Sequence, residues 1–205
     1  MSPTVELAKT PAPATRAPGR PRSAEAEQAI LDATLAMLAE VGINGLTVEG
    51  VAARAGVGKA TIYRRYPSKS DLILDALTRL SDEIKPVTGL SVRDDLVHLV
   101  DVIRRRASST LAGKIMPRLI GDSPDNPELM DRYREQTLRP RRDLFVSVLE
   151  RGVREGIIRG DVELEDVIDL FVGPLFNRVL KCSASGVTKE YSAFVVDTVL
   201  AGLKP

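Results

Sequence analysis

Apolar residues recur at helical spacing along most of this chain. Between Ser23 and Gly42, six residues fall within about 120° of one helical wheel, the wide stripe of a helix that docks on a core: Ile30, Leu31, Thr34, Met37, Leu38 and Val41. Ser23 is a suitable N-cap and Gly42 a suitable end for this helix. Similar patterns continue to the C-terminus, and no alternation typical of strands appears. The sequence therefore predicts an all-α fold with about nine helices.

Three short helices are predicted next. Thr47 can cap the second helix by accepting a hydrogen bond from a first-turn N–H, and Gly56 ends it. The third helix covers about residues 58–66. Ser68 and Asp71 form a capping-box pattern that begins the fourth.

The longest predicted helix is the seventh, which takes Asn126 as N-cap and Pro127 as its first residue. It continues to about Glu155. We expect a bend near Pro140, because an interior proline loses a backbone hydrogen bond and crowds the preceding turn.

A linker over residues 85–91, KPVTGLS, separates two groups of helices, because it places a proline and a glycine between helical patterns. The predicted parts are a disordered basic arm over 1–22, a helical domain over 23–85 and a second helical domain over 86–205. The arm is rich in proline, alanine and threonine, and it is too poor in apolar residues to pack.

Charge is sorted by position. The whole chain of 205 residues carries a formal net charge of +1, so a site for a polyanion must be a local patch. Residues 50–70 contain five basic residues and no acidic one: Arg54, Lys59, Arg64, Arg65 and Lys69. A solvated charged surface is the ordinary meaning of such a cluster. Here it coincides with two helices joined by a glycine turn.

A helix-turn-helix unit of this kind can place its second helix in the major groove of DNA, which is about 12 Å wide. The outward positions suit DNA, since they offer long donors, hydroxyls and a small residue that can approach a thymine methyl: Lys59, Ala60, Thr61, Tyr63 and Arg64. Thr47 would offer a hydroxyl and backbone N–H groups to a phosphate. The predicted partner is double-stranded DNA.

The segment TVEGVAARAGVGKATIYRRYPSKSDL resembles the DNA-binding signature of the TetR family of bacterial regulators, and the likeness extends over residues 30–74. It implies that Lys59, Ala60 and Tyr63 face bases. It also implies phosphate contacts from Thr47, Thr61, Arg64, Arg65 and Lys69. Two positions depart from the family pattern, since Gly58 stands where serine is common and Arg65 where histidine is frequent.

Part of the arm, Gly19, Arg20, Pro21 and Arg22, resembles the core of an AT-hook, in which an extended segment lies in an A·T minor groove. A plain basic tail is the alternative. Either would add salt-dependent affinity for DNA through Arg20 and Arg22.

The segments RGVREGIIRGD and LFVGPLFNRVL are similar to the C-terminal half of many TetR-family members. The resemblance implies a homodimer through residues 162–181 and 188–203, in which the last two long helices of each subunit form a four-helix bundle. The expected interface residues are Phe171, Leu175, Val179, Phe194 and Val199.

The resemblance also implies that the earlier helices of this domain enclose an effector pocket. Its predicted lining is Met116, Leu119, Tyr133, Phe145, Phe171 and Phe176, residues that equally describe an ordinary core. An apolar lining favours a hydrophobic or amphipathic small molecule. Three consecutive arginines, Arg104, Arg105 and Arg106, point about 100° apart on one helix and are expected to be mostly solvated.

Several classes of protein are not expected. One cysteine and one histidine leave few arrangements for catalysis or metal binding, and no phosphate-binding glycine loop appears, so we predict no enzyme, no cofactor and no metal. No apolar run approaches the ~18 residues of a membrane span, and no secretory signal is present. The expected location is the cytoplasm, without a membrane partner.

Together these features predict a ligand-responsive transcriptional regulator. The domain over 23–85 would bind DNA, and the domain over 86–205 would bind an effector and dimerise. We expect a repressor that binds a palindromic operator as a dimer and is released by a small hydrophobic effector. An activator and an architectural DNA-binding protein without an effector are the alternatives, although the latter leaves the second domain unexplained.

Overall fold

The computed structural model of the protein describes residues 21–80, 87, 89–108, 110–182 and 187–205. These residues form ten α-helices and no strand: α1 Pro21–Gly45, α2 Val48–Ala55, α3 Lys59–Tyr63, α4 Lys69–Arg79, α5 Val92–Ala107, α6 Thr110–Asp122, α7 Pro127–Tyr133, α8 Arg139–Arg154, α9 Leu164–Cys182 and α10 Lys189–Gly202. A π-helical segment, Arg134–Leu138, joins α7 to α8 without interruption. When α7 and α8 are counted as one long helix, the described residues contain nine helices, and the predicted all-α fold is confirmed.

The irregularity in this long helix lies in the π-helical segment, immediately before the predicted bend at Pro140. A proline at this point cannot donate the backbone hydrogen bond of a regular α-helix. The wider π turn is a known response of a helix to such a local disturbance. The predicted position was therefore close, although the form of the distortion was not foreseen.

The first helix begins at Pro21, two residues before the predicted N-cap Ser23. It is interrupted at Gly42, whose φ of 72° and ψ of −169° lie in a region open almost only to glycine. One further helical turn then leads to Gly45. Residues 1–20, which make up most of the predicted arm, lie outside the described residues.

The capping residues of the next helices behave as predicted. The hydroxyl of Thr47 accepts a hydrogen bond from the Gly50 N–H at 3.1 Å. The Asp71 N–H donates to the Ser68 hydroxyl at 3.2 Å, while the Ser68 N–H donates to the Asp71 carboxylate at 3.1 Å. These reciprocal bonds satisfy backbone donors that the start of a helix leaves without partners.

Two clusters of buried apolar side chains hold the helices together. The first gathers α1 to α4 and also takes in Ile115 and Leu119 from α6 and Leu129, Met130 and Tyr133 from α7. The second is built from α5, α8, α9 and α10. The first core therefore extends past residue 85 along the chain, because α6 packs along α1. The domain boundary at the linker stays a prediction.

The end of α1 is held from two sides. Asp122, the last residue of α6, accepts a hydrogen bond from the Ile43 N–H at 2.6 Å. On the other side, the Lys69 ammonium donates to the carbonyls of Ile43 at 2.8 Å and Leu46 at 2.9 Å. Side chains from α4 and α6 thus satisfy backbone groups that the end of a helix exposes.

Replacing Gly42 by alanine is expected to destabilise the protein. The backbone conformation alone costs an L-residue about 1–3 kcal/mol, and the added Cβ would overlap the Asp122 carboxylate. Urea unfolding should show a lower midpoint for Gly42→Ala. Gly121→Ala in α6 is the matched control, because its Cβ meets nothing within 4 Å and helical alanine is favoured over glycine by roughly 0.5–1 kcal/mol. An unfolding midpoint for Gly42→Ala at or above that of the wild type would contradict the assignment.

Candidate functional site

The helix-turn-helix presents one continuous outer surface. Gly56 adopts the left-handed conformation, with φ of 66°, and turns the chain sharply between α2 and α3. The buried side chains of Val51 and Ile62 pack into the first core and fix how the two helices face. With Ile62 directed inward, the opposite side of α3 faces solvent.

The outer surface of α3 carries most of the residues predicted to contact DNA. Ala60 and Arg64 are exposed, and the Tyr63 side chain is 51% exposed even though it is aromatic. Thr61 is half-buried at the edge of this surface. An exposed tyrosine beside basic residues can stack or donate to a phosphate or a base, as the prediction requires.

Lys59 is paired with an acidic neighbour that the sequence reasoning did not consider. Its ammonium lies 3.0 Å from the Glu49 carboxylate in the first turn of α2, and both side chains are more than half exposed. The pKa of the Glu49 carboxyl lies below its ordinary value, because a hydrogen bond from its own backbone N–H and the contact with Lys59 both favour the anion. Any contact of Lys59 with DNA would therefore compete with its ion pair to Glu49.

The other predicted DNA contacts differ in their surroundings. Two of the three N–H groups of the Lys69 ammonium are engaged by the carbonyls of Ile43 and Leu46, which leaves one for a phosphate. Arg65, which follows α3, is half-buried, whereas Thr47 is exposed at the start of α2. Arg20 lies outside the described residues, and Arg22 lies in the first turn of α1. All of these assignments stay predictions.

A cavity of about 270 Å³ lies in the second half of the fold, between α5, α6, α7, α8 and α9. Five of the six predicted lining residues are found in its wall: Met116, Leu119, Tyr133, Phe145 and Phe176. The prediction for Phe171 was wrong. Its side chain is fully buried in the second core, where its ring stacks on Phe145 with 6.3 Å between centroids. On α9 the residues that face the cavity are Ile168, Val172 and Phe176, which follow one another at intervals of one turn.

The cavity wall also contains three arginines that the sequence analysis missed, Arg106, Arg141 and Arg142. The expectation that residues 104–106 are mostly solvated was wrong for two of the three. Arg104 is bound to Asp101 at 2.6 Å with its side chain only 16% exposed, and Arg106 turns into the cavity. The signal was present in the sequence, because Arg106 lies three and four residues after Ile103 and Val102, which share its face of α5.

The outer surface of α9 and α10 corrects part of the predicted dimer interface. Phe171 and Leu175 are fully buried within one protomer and are not available to a partner. By contrast, Phe194 is 63% exposed and Leu170, which was not predicted, is 55% exposed. The predicted Val179 and Val199 are half-buried. Phe171 and Leu175 were misassigned because the sequence shows that a helix has an apolar face but not which core that face joins.

Beside Phe194 the aromatic surface continues. Its ring lies 6.1 Å from that of Tyr191 in a stacked arrangement, and the Arg178 guanidinium lies 4.3 Å from the Tyr191 ring centre. Leu170 and Gly173 are exposed along α9 on the described part of this surface.

No helix among the described residues has the length and apolar character to cross a membrane.

Two family models match the chain. The model described as "Bacterial regulatory proteins, tetR family" matches residues 30–76, and that described as "Tetracyclin repressor-like, C-terminal domain" matches residues 86–199. Together they cover the helix-turn-helix and nearly all of the chain after the linker.

Curated relatives and a solved structure agree with these matches. The "Uncharacterized HTH-type transcriptional regulator YdeS" of Bacillus subtilis is 36% identical over 164 residues, 79% of this chain and 82% of that protein. The "DNA-binding transcriptional repressor TetR" of Mycobacteroides abscessus is 32% identical over 165 residues, 78% of this chain and 83% of that protein. The crystal structure of the TetR family transcription regulator SCO0332 superposes with a TM-score of 0.62 at 28% identity, covering 88% of this chain and 100% of that one. The chain therefore belongs to the TetR family of bacterial DNA-binding transcriptional regulators.

Proposed function

We propose that the protein is a repressor that binds a palindromic operator as a homodimer and is released by a small apolar or amphipathic effector. The observation that carries the proposal is the position of α6. Met116 and Leu119 of this helix line the cavity, and Asp122 at its end holds the Ile43 N–H at 2.6 Å. One helix thus touches both a ligand-sized cavity and the base of the DNA-binding unit.

A second connection runs through α4. The Arg132 guanidinium pairs with Asp71 at 2.7 Å, and the hydroxyls of Thr78 and Thr137 lie 3.3 Å apart. Tyr133, the neighbour of Arg132, lines the cavity. A ligand that moves α6 or α7 would therefore displace α1 and α4, the helices packed against the DNA-binding unit.

In the proposed complex, Lys59, Ala60 and Tyr63 contact base edges in the major groove. Phosphate contacts come from Thr47, Thr61, Arg64, Arg65 and Lys69, while Arg20 of the arm and Arg22 at the start of α1 add basic contacts. A two-fold dimer would set its two α3 helices about one DNA turn, roughly 34 Å, apart, so the operator should be palindromic. An effector that prefers another spacing would weaken DNA binding by its differential affinity, typically ~1–3 kcal/mol.

Repression is supported by the relative from Mycobacteroides abscessus, whose name calls it a repressor. The cavity favours an effector-controlled regulator over an architectural DNA-binding protein, which has no use for one. Catalysis forms no part of the proposal, and the protein would act in the cytoplasm, where bacterial DNA lies.

Lys59→Ala and Tyr63→Ala should each weaken binding to a specific operator by about 1–3 kcal/mol, because each removes a contact with a base edge. The measurement is a titration of DNA fragments that flank the protein's own gene, at fixed salt concentration. Lys204→Ala is the matched control, since it removes one exposed positive charge near the C-terminus, far along the chain from α3. Equal binding of wild type and both variants to every fragment would contradict the proposed operator contacts.

Glu49→Gln should strengthen operator binding at low salt by up to about fivefold, because it frees Lys59 and removes a negative charge beside the DNA. The gain should shrink as salt rises, since both effects are electrostatic. Glu150→Gln removes the same charge from an exposed site on α8 and is the control. A loss of affinity in Glu49→Gln would indicate that Glu49 positions Lys59 for DNA rather than competing with it.

Phe194→Glu should convert the protein to a monomer, because it places a charge in the exposed aromatic surface of α10 proposed as the dimer interface. Sedimentation velocity at micromolar concentration measures the change. Ile157→Glu is the control, since Ile157 is also an exposed apolar residue, 42% exposed, but lies in the turn after α8. A wild type that sediments as a monomer, or a Phe194→Glu variant that stays dimeric, would overturn the proposed interface.

A further inference from the structure

The described cavity wall is apolar except for its cations and one phenol. Three arginines, Arg106, Arg141 and Arg142, lie among its lining residues, and none of those residues is acidic. The other side chains around them are aliphatic or aromatic, and the Nε atom of Arg106 is buried, so water screens the charge of Arg106 poorly there. Positive charge is therefore the distinctive chemical feature of this cavity.

The arginines are not equivalent. The guanidinium of Arg142 is neutralised by Glu165 at 2.6 Å and by Asp169 at 2.9 Å. Arg106 has no acidic partner among the described residues. Its one hydrogen bond there runs from Nη2 to the Tyr133 hydroxyl at 3.3 Å, and its Nε is buried without an acceptor.

Tyr133 adds a second donor at the same point. Burial raises the pKa of the Tyr133 phenol, an effect that Arg106 only partly offsets, so the hydroxyl keeps its proton at neutral pH. When its oxygen accepts from Arg106, its own O–H remains available to donate. The guanidinium Nε–H and the phenol O–H thus form a pair of donors that lacks an acceptor in the described part of the chain.

Two buried donors without an acceptor, one of them charged, cost free energy. A neutral apolar ligand offers no acceptor and would leave that cost in place. A carboxylate satisfies both, because its two oxygens accept hydrogen bonds and its charge balances the guanidinium. The geometry points to an amphipathic carboxylic acid as the effector, with its carboxylate at Arg106 and Tyr133 and its apolar body against Met116, Phe145 and Phe176. This inference rests on the effector cavity of the proposed function and narrows the chemical class of its ligand.

The size of the cavity limits the size of the apolar part of the ligand. A volume of about 270 Å³ is just below the ~300 Å³ at which pockets for small molecules begin. The ligand therefore has the size of a medium-chain or bicyclic acid. Ile120, 56% exposed at the cavity wall, lies where such a molecule could enter.

The test compares acids with alcohols of matched shape, by calorimetric titration of the full chain at neutral pH without DNA. The probes are decanoate against decan-1-ol and 2-naphthoate against 2-naphthalenemethanol. At least one acid should bind the wild type about tenfold more tightly than its alcohol. Arg106→Met should lower the affinity for that acid by about tenfold to a hundredfold and change the affinity for the alcohol by less than about threefold.

Two further variants and a control separate recognition from folding. Arg106→Lys keeps the charge without the forked donors and should retain part of the preference for the acid, whereas Tyr133→Phe should lose a smaller part than Arg106→Met. Arg105→Met removes an exposed arginine from the adjacent position of α5 and should leave both affinities unchanged. If Arg106→Met does not fold, Arg106→Lys and Tyr133→Phe carry the comparison.

Equal affinity for acid and alcohol, acid binding that does not depend on Arg106 and Tyr133, or no binding of either acid would overturn the inference. A separate operator titration distinguishes it from the proposed function. An acid that binds through Arg106 yet leaves the operator bound would refute release by that effector, while the anion site itself would stand. Failure of operator binding in the absence of ligand would refute the proposed repressor and leave the acid titration unaffected.

Discussion

The arrangement of the molecule depends on the hydrogen bonds that the backbone groups at the end of α1 make with other helices. A helix end exposes backbone groups that need partners, and the glycine conformation at Gly42 turns those of Ile43 toward two other helices. Asp122 of α6 accepts a hydrogen bond from the Ile43 N–H, and Lys69 of α4 donates one to the Ile43 carbonyl. One peptide segment is thereby tied to the helix that lines the cavity and to the helix that follows the DNA-binding unit. Its position fixes α2 and α3 relative to the cavity.

Features governed by neighbours in sequence could be predicted from the sequence. The apolar stripe of α1, the Thr47 cap, the turn at Gly56 and the Ser68 capping box each depend on residues a few positions apart. The same holds for the exposed surface of α3, because burying Ile62 leaves the opposite side of a short helix facing outward. Such local rules hold whatever the rest of the fold does.

Features that depend on distant packing could not be predicted in the same way. Phe171 and Phe176 lie about 140° apart on a helical wheel, and the sequence does not tell which of the two sides faces the core. The packing of α9 against α5 and α8 buries Phe171 in the core and places Phe176 in the cavity wall. The bonds from the Lys69 ammonium to carbonyls 23 and 26 positions earlier in the chain were likewise not foreseen, while its contact with a phosphate stays a prediction. Arg106 is a different case, because Val102 and Ile103 on the same face of α5 were a signal in the sequence that the run of three arginines obscured.

The role of α6 explains how a small ligand could reach the DNA-binding unit. Its residue Leu119 belongs both to the first core and to the cavity wall, so the two regions share atoms instead of meeting across a linker. Pro117 cannot donate a backbone hydrogen bond to the carbonyl of Gly113, so α6 lacks one helical hydrogen bond beside the cavity-lining Met116. A helix weakened there can bend at lower cost than a regular one. The ligand still has to supply the energy: only its preference for one arrangement of α6 over the other can shift DNA affinity, however tightly it binds. A carboxylate held by Arg106 and Tyr133 has a route to such a preference, since those residues lie on α5 and α7 while its apolar body contacts α6.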